Sequence, residues 1–324
     1  LVKRKRRMSW VPTHEEVIDK AFRRAKRVAM GIWTSTRGSH IYRTKKTEEQ
    51  RVLTAWQVMN DKLKAITENK IDFDELHPFY RDLITAKIDI GRATTCYRRI
   101  EWAVSKILEI RKETIRKIRR SRMKEEIIRA RREFYGRSSS ILRDISDCFQ
   151  LLRDLRQILE DLPTIDPERE VVIVAGYPNV GKSTLLRKLT KSNPKVSPYP
   201  FTTKKIQVGV TEDGIQVIDS PGLLYREKKN WIEKQAVAAL RHLKGVIVYV
   251  FDPTETCGYS LEDQRKLLEE VERIGKPVIK VANKSDIPWS KEVVIEGALP
   301  ISAERGDNLE ELLRLIKEKL EVTK

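Results

Sequence analysis

The chain of 324 residues carries 65 Lys and Arg against 47 Asp and Glu, a formal charge of +18, and 40% of its residues are hydrophobic. That balance supports packed cores, excludes wholesale disorder, and the length suits about two domains. No apolar run approaches the ~20 residues of a membrane span, and the basic stretch 3–7 lacks the apolar segment of a secretory signal.

Cys96, Cys148 and Cys257 lie far apart and form no CxxC pair. Neither a disulfide framework nor a zinc module is expected, and a reducing compartment fits. The charge is unevenly spread. Residues 1–166 hold 39 Lys and Arg against 24 Asp and Glu, whereas residues 167–324 hold 26 against 23. The first half therefore calls for an acidic partner, with nucleic acid ahead of a membrane surface.

In the first half, Thr13 and Glu16 have the spacing of a capping box and open a helix to about Met30, with Gly31 as its stop. A second helix is expected from Thr47 to Glu68 and a short third one from Pro78. From Ala93 to Tyr135 no Gly or Pro interrupts the pattern, which predicts one helix of about 60 Å. Gly136 should end it, Ser138–Ser140 should start a return helix through Leu159, and Pro163 and Pro167 should mark a linker. The expectation is an antiparallel helical bundle with a long basic hairpin over residues 1–166.

Residues 167–324 alternate strand and helix patterns. Strands are expected at 170–175, 206–210, 215–218, 245–251 and 277–281, and helices at 182–191, 231–243, 261–274 and 309–320. This pattern means a mostly parallel sheet with helices on both faces, an α/β domain. The interval from Asp286 to Ser302 is too short for a full helix and strand, so its helix should be short or irregular.

Gly176, Tyr177, Pro178, Asn179, Val180, Gly181, Lys182 and Ser183, followed by Thr184, match the phosphate-binding loop G-x-x-x-x-G-K-[ST] between a strand and a helix. Backbone N–H groups curl around phosphate there, Lys182 neutralises the β/γ oxygens, and Ser183 ligates Mg²⁺. Asp219, at a strand end, can hold the magnesium through water, and the Gly222 amide can meet the γ-phosphate. Asn283, Lys284 and Asp286 form NKxD. The Asp286 carboxylate matches the N1–H and 2-amino donors of guanine, which adenine lacks. Ser302 and Ala303 can offer a backbone N–H to the guanine carbonyl. The set points to GTP and GDP with Mg²⁺ in a P-loop GTPase.

With these motifs and Tyr199–Thr203 before a strand, the chain resembles the Obg superfamily of GTPases, and within it the Nog-type nucleolar GTP-binding protein family. The resemblance implies that Thr203, or its neighbour Thr202, ligates Mg²⁺ and closes over the γ-phosphate. It implies action on the large ribosomal subunit precursor, with ribosomal RNA and ribosome assembly factors as partners and no membrane. A short archaeal-type form is implied by the end at Lys324, as a cytoplasmic monomer, with a nucleolar place if the source is eukaryotic.

Leu223 stands where many small GTPases carry a water-orienting glutamine. Hydrolysis should therefore be slow without an activating partner or K⁺. Asn179 either binds K⁺ beside the phosphates or only shapes the loop. Residues 111–132 hold 11 Lys and Arg against 3 Glu. Arg116, Arg119, Arg120, Arg122, Arg129, Arg131 and Arg132 are thus candidates for RNA contact, against the alternative of a solvated helix face. The stretch 3–7 would add a second contact. Three functions remain open: a GTP-hydrolysing switch in ribosome assembly, an RNA-binding scaffold with a structural nucleotide, or, less favoured, a signalling GTPase with a protein-binding helical domain.

Overall fold

A computed structural model describes residues 8–190, 194–198, 205–219 and 238–322. The chain forms two compact units that do not follow a single cut. One holds residues 8–72 and 88–160, and the other residues 73–87 and 161–322.

The first unit is all helical: α1 (His14–Ser35), α2 (His40–Thr67), α4 (Ile90–Arg120), α5 (Lys124–Asp144) and α6 (Ser146–Glu160). The capping box forms, with Glu16 N donating to Thr13 Oγ1 at 3.0 Å and Thr13 N to Glu16 Oε2 at 2.8 Å. Gly31 does not end α1. An exposed helical glycine costs about 1 kcal/mol but need not break a helix. The stop falls at Thr34, Ser35 and Thr36, whose hydroxyls donate back to the carbonyls of Gly31 and Ile32 and compete with backbone bonding. α2 starts well before Thr47, at His40, capped by Ser39 Oγ accepting from Tyr42 N at 3.2 Å.

The single 60 Å helix is not formed. The chain breaks at 121–123, and the two helices on either side pack against each other through Ile107, Ile110 and Ile118 of α4 and Ile127 and Phe134 of α5, all buried. The break lets the two apolar faces bury each other, and the charge pattern suits it. Lys117, Arg119 and Arg120 close the last turn of α4, and Glu125 and Glu126 open the first turn of α5. Each matches the dipole of its own helix end, and a continuous helix would discard both gains. Gly136 lies inside α5, and the return path breaks at Ile145 instead.

Cys96 of α4 and Cys148 of α6 form a disulfide, against the expectation from their spacing. Sequence separation says nothing about two helices that pack side by side. Cys257 is free and buried.

The second unit is built on a sheet in the order β2-β3-β4-β1-β5-β6-β7. Its strands are β1 (Val171–Ala175), β2 (Lys195–Pro198), β3 (Lys205–Val210), β4 (Gln216–Asp219), β5 (Gly245–Phe251), β6 (Val278–Ala282) and β7 (Ala298–Pro300). The β2–β3 and β3–β4 pairs are antiparallel and the rest parallel. β2 was not expected, because its Ser and Pro mask a four-residue edge strand. β1 and β5 are buried along their whole length, as a doubly covered sheet demands. The helices α7 (Lys182–Leu189), α8 (Leu261–Glu272) and α9 (Leu309–Val322) accompany it. The short segment before Ser302 is a 3-10 turn, Pro288–Glu292. Of the helix expected at 231–243, residues 231–237 lie outside the described residues, and Leu240–His242 is a 3-10 turn.

The remaining helix, α3 (Pro78–Thr85), packs with this unit. His242 Nε2 meets Asp82 Oδ2 at 2.8 Å, and the Tyr80 hydroxyl donates to the carbonyls of Pro163 and Ile165. Burial pushes the Tyr80 phenol up to about 12. The expected linker is fastened rather than free. Gln216 Nε2 donates to Asp166 O at 2.7 Å, and Asp166 N donates to Gln216 Oε1 at 2.8 Å.

Candidate functional site

β1, β4, β5, β6 and β7 run parallel, so their carboxyl ends share one edge of the sheet. Ligands of open α/β sheets bind at that edge. It gathers the loop after β1, Asp219, Asp252, Asn283 and Ser302.

The loop 176–181 has the geometry phosphate requires. Gly176 and Gly181 adopt φ of 140° and 102°, and Asn179 φ of 64°. A Cβ on Gly176 would come within 2.6 Å of Val250 O, so side chains are excluded there by space as well as by torsion. Gly181 is the N-cap of α7, whose first-turn amides are the expected anion seat. Lys182 is buried, and its Nζ donates to Tyr177 O at 2.5 Å. Tyr177 stacks on Tyr259 with ring centroids 4.1 Å apart, bracing the loop. Pro178 and Thr184 are half-buried, Val180 is buried, and Asn179 is exposed.

Ser183 Oγ donates to Asp219 Oδ2 at 2.5 Å. The carboxylate is fully buried, and Oδ1 finds no partner among the described residues. Burial holds its proton more tightly than usual, opposed by the Ser183 hydrogen bond and by the Lys182 charge. A buried carboxylate with one orphaned oxygen beside a serine hydroxyl fits a hydrated Mg²⁺, whose hard charge would satisfy both oxygens. Thr202, Thr203, Gly222 and Leu223 lie outside the described residues, as does the stretch 3–7.

The base side is preassembled. Asn283, buried, donates from Nδ2 to Val180 O at 2.8 Å and accepts from Ala303 N at 2.9 Å. One side chain therefore joins the phosphate loop to the loop after β7. The Ala303 amide is engaged in that bond, and the Ser302 amide donates to Asp307 O at 3.2 Å. A guanine carbonyl would share or displace such a bond. Ser302 Oγ donates to Asp286 Oδ1 at 2.6 Å, which orients the carboxylate and holds the Asp286 carboxyl below its usual range.

Asp252, at the end of β5, escaped sequence reasoning. It is fully buried and accepts from Lys284 Nζ at 2.6 Å, Thr254 Oγ1 at 2.6 Å and Cys257 N at 2.8 Å. Burial alone would raise its carboxyl, but Lys284 and Thr254 outweigh that and keep it low. Asp252 thereby fixes Lys284, whose backbone stands at φ 66°. The signal was present: an Asp closing an apolar strand parallel to the one that ends in Asp219.

The RNA candidates divide. Arg131 Nε donates to buried Glu48 at 2.9 Å, and Arg119 pairs with Glu49, so both tie α2 to the hairpin. Arg116, Arg120, Arg122, Arg129 and Arg132 are exposed, and their guanidinium groups have no acidic partner among the described residues. Lys117, Arg120 and Arg129, with Ser121, Ala130 and the acidic Glu126 and Glu133, line a hollow of 520 Å³ at the hairpin end, where Lys117 is paired with Glu133. Lys45 Nζ donates to Arg119 O at 2.7 Å, which brings the start of α2, with exposed Lys46, to the same end. Among the described residues no helix is long and apolar enough to cross a membrane.

Residues 6–166 match the family described as NOG1 N-terminal helical domain, and residues 171–284 match the 50S ribosome-binding GTPase family. The chain is 35% identical to the Methanocaldococcus jannaschii protein MJ1408 over 87% of its own length and 81% of that protein's. It is 34% identical to nucleolar GTP-binding protein 1 of Drosophila melanogaster over 78% of its length, and 32% identical to that of Caenorhabditis elegans over 90%. It spans only 40% and 44% of those two proteins.

Proposed function

The chain belongs to the NOG1 family of GTP-binding proteins, and from that premise we propose that it is a magnesium-dependent GTP hydrolase serving as a switch factor on the large ribosomal subunit precursor. GTP binding and a GTPase domain are properties of the family. The observation that supports the hydrolase part of this reading is the convergence of loop 176–181, Asp219, Asn283 and Asp286 on one sheet edge.

In this reading the loop amides and Lys182 hold the β- and γ-phosphates, and Lys182 exchanges its bond to Tyr177 O for them. Ser183 and Asp219 hold Mg²⁺, joined by Thr203 or Thr202, and Gly222 meets the γ-phosphate. The metal supplies charge neutralisation on the phosphate oxygens. Asp286 selects guanine, and Asn283 and Lys284 fix the walls of the base site. With Leu223 unable to orient water, turnover is slow until a partner, or K⁺ near Asn179, supplies the missing polarity. The exposed arginines of α4 and α5 hold ribosomal RNA, and nucleotide state biases that binding.

The test is GTP turnover by the full chain, alone and with large ribosomal subunits, in KCl and in NaCl at equal ionic strength. Turnover stimulated by subunits is expected. Absence of hydrolysis under all conditions would leave the scaffold reading, which Leu223 favours. Equal rates in the two salts would remove K⁺.

A further inference from the structure

The helical unit contains a groove of 880 Å³ walled by Trp10, Pro12, α1 and Lys62 of α2, with none of the hairpin arginines in its lining. Its apolar part includes Pro12, Val17 and the indole of Trp10. Its rim carries Lys20, Arg24, Arg27 and Lys62. Lys20, Arg24 and Arg27 follow the i, i+4, i+7 spacing and stand in line on one face of α1. The two acidic residues in the wall are already committed: Glu16 to the Thr13 cap and Asp19 to Arg23. The four rim cations have no acidic partner among the described residues.

Trp10 is 63% exposed, yet its segment is fastened on every side. Met8 and Val11 are buried, Asn69 Nδ2 donates to Ser9 Oγ at 2.9 Å, and Arg153 Nη1 donates to Pro12 O at 3.2 Å. The Arg156 guanidinium lies 5.0 Å from the indole centroid. Arg156 is not part of the groove wall, whereas Trp10 is. An exposed indole on an anchored segment, backed by a cation and bordering a cationic groove, has the form of a stacking platform.

We propose that the groove beside Trp10 binds one unpaired base of a single-stranded RNA, stacked on the indole, with the adjoining phosphates held by Lys20, Arg24, Arg27 and Lys62. The proposal rests on the RNA-binding reading above and adds to it a second site with a different substrate class. A duplex would use the cations but keeps its base faces covered, leaving the indole idle. An acidic peptide would likewise leave the indole and the apolar wall unused.

The test is fluorescence anisotropy of the full chain with a labelled adenosine decamer and with an RNA duplex of the same length. Trp10→Ala should weaken decamer binding about tenfold and leave duplex binding within about twofold, while Trp10→Phe should retain most decamer affinity. Thermal melting verifies that the variants are folded. In a measurement that needs no variant, a decamer carrying 4-thiouridine should photocrosslink to residues 8–28 of the unaltered chain. RNA binding that persists with decamer affinity unchanged by Trp10→Ala, or with no adduct in residues 8–28, overturns this proposal alone. Failure of the unaltered chain to bind either RNA overturns the RNA-binding reading as well. Displacement of the decamer by a polyglutamate peptide whose own affinity drops equally with Trp10→Ala would assign the groove to an acidic peptide and overturn the proposal.

Discussion

In the helical unit five guanidinium groups between Arg116 and Arg132 stand in solvent without acidic partners among the described residues, whereas in the nucleotide unit Lys182, Asp219 and Asp252 are buried among fixed donors and acceptors. The two arrangements serve different ends. Exposed like charges act at long range, are screened by salt, and recognise a polyanion without reading its sequence. Buried polar groups act only at contact, are little affected by salt, and reject a ligand that leaves one of them unpaired. The function proposed above, which pairs a large RNA with a choice of GTP over ATP, would use both.

The comparison can be broken most sharply at the base site. Asp286→Asn removes two charge-assisted hydrogen bonds to guanine and should cost about 4 kcal/mol, close to a thousandfold in GTP affinity by calorimetry. RNA affinity should not change. At the buried pair, Asp252→Asn leaves the Lys284 ammonium without its counter-charge and should lower the stability of the nucleotide unit by about 3 kcal/mol in chemical denaturation.

The same pair gives a pH signature. Its partners hold the Asp252 carboxyl below its unfolded value, so its contribution is complete above about pH 4. It is lost as pH falls through the folded value. Asp252→Asn should flatten that acid limb in melting curves recorded from pH 5 downward.

On the helical side, Arg120→Glu, Arg129→Glu and Arg132→Glu together should weaken RNA binding roughly a hundredfold at low salt. The slope of log affinity against log salt should fall by about two, with GTP affinity unaltered. The smallest effect is expected at Glu48→Gln, which weakens the bonds to Arg131 and Arg51 inside the bundle. It should reduce helical-unit stability by about 1–2 kcal/mol and leave nucleotide affinity alone. If it instead matched the arginine triple variant in RNA binding, the distinction between structural and exposed arginines would fail.

What was legible in the sequence was local. The phosphate loop, the strand Gly245–Phe251 and the capping box at Thr13 each declare themselves within a few residues, because the chemistry that shapes them lies in those residues. The break at 121–123 was also local, but its signal was electrostatic: basic residues through Arg120, then Glu125 and Glu126. A search for Gly and Pro passes over it. The Cys96–Cys148 bridge and the network around Asp252 depend on which elements lie side by side, and residue spacing carries no information about that. The placement of α3 is of the same kind. Eight helical residues bury Phe79, Leu83 and Ile84 without stating against what.

That placement governs how the molecule can be dissected. A recombinant fragment starting at residue 167 would carry every nucleotide motif and still lack the Asp82 partner of His242, along with Tyr80 and the segment at Pro163 and Ile165 that it clamps ahead of β1. Its surface around Leu240 and Leu243, buried in the intact chain, would be bared to water. Poor solubility or feeble nucleotide affinity of such a truncation would then report a missing structural plug, and a faithful minimal version needs residues 73–87 grafted back or supplied in trans.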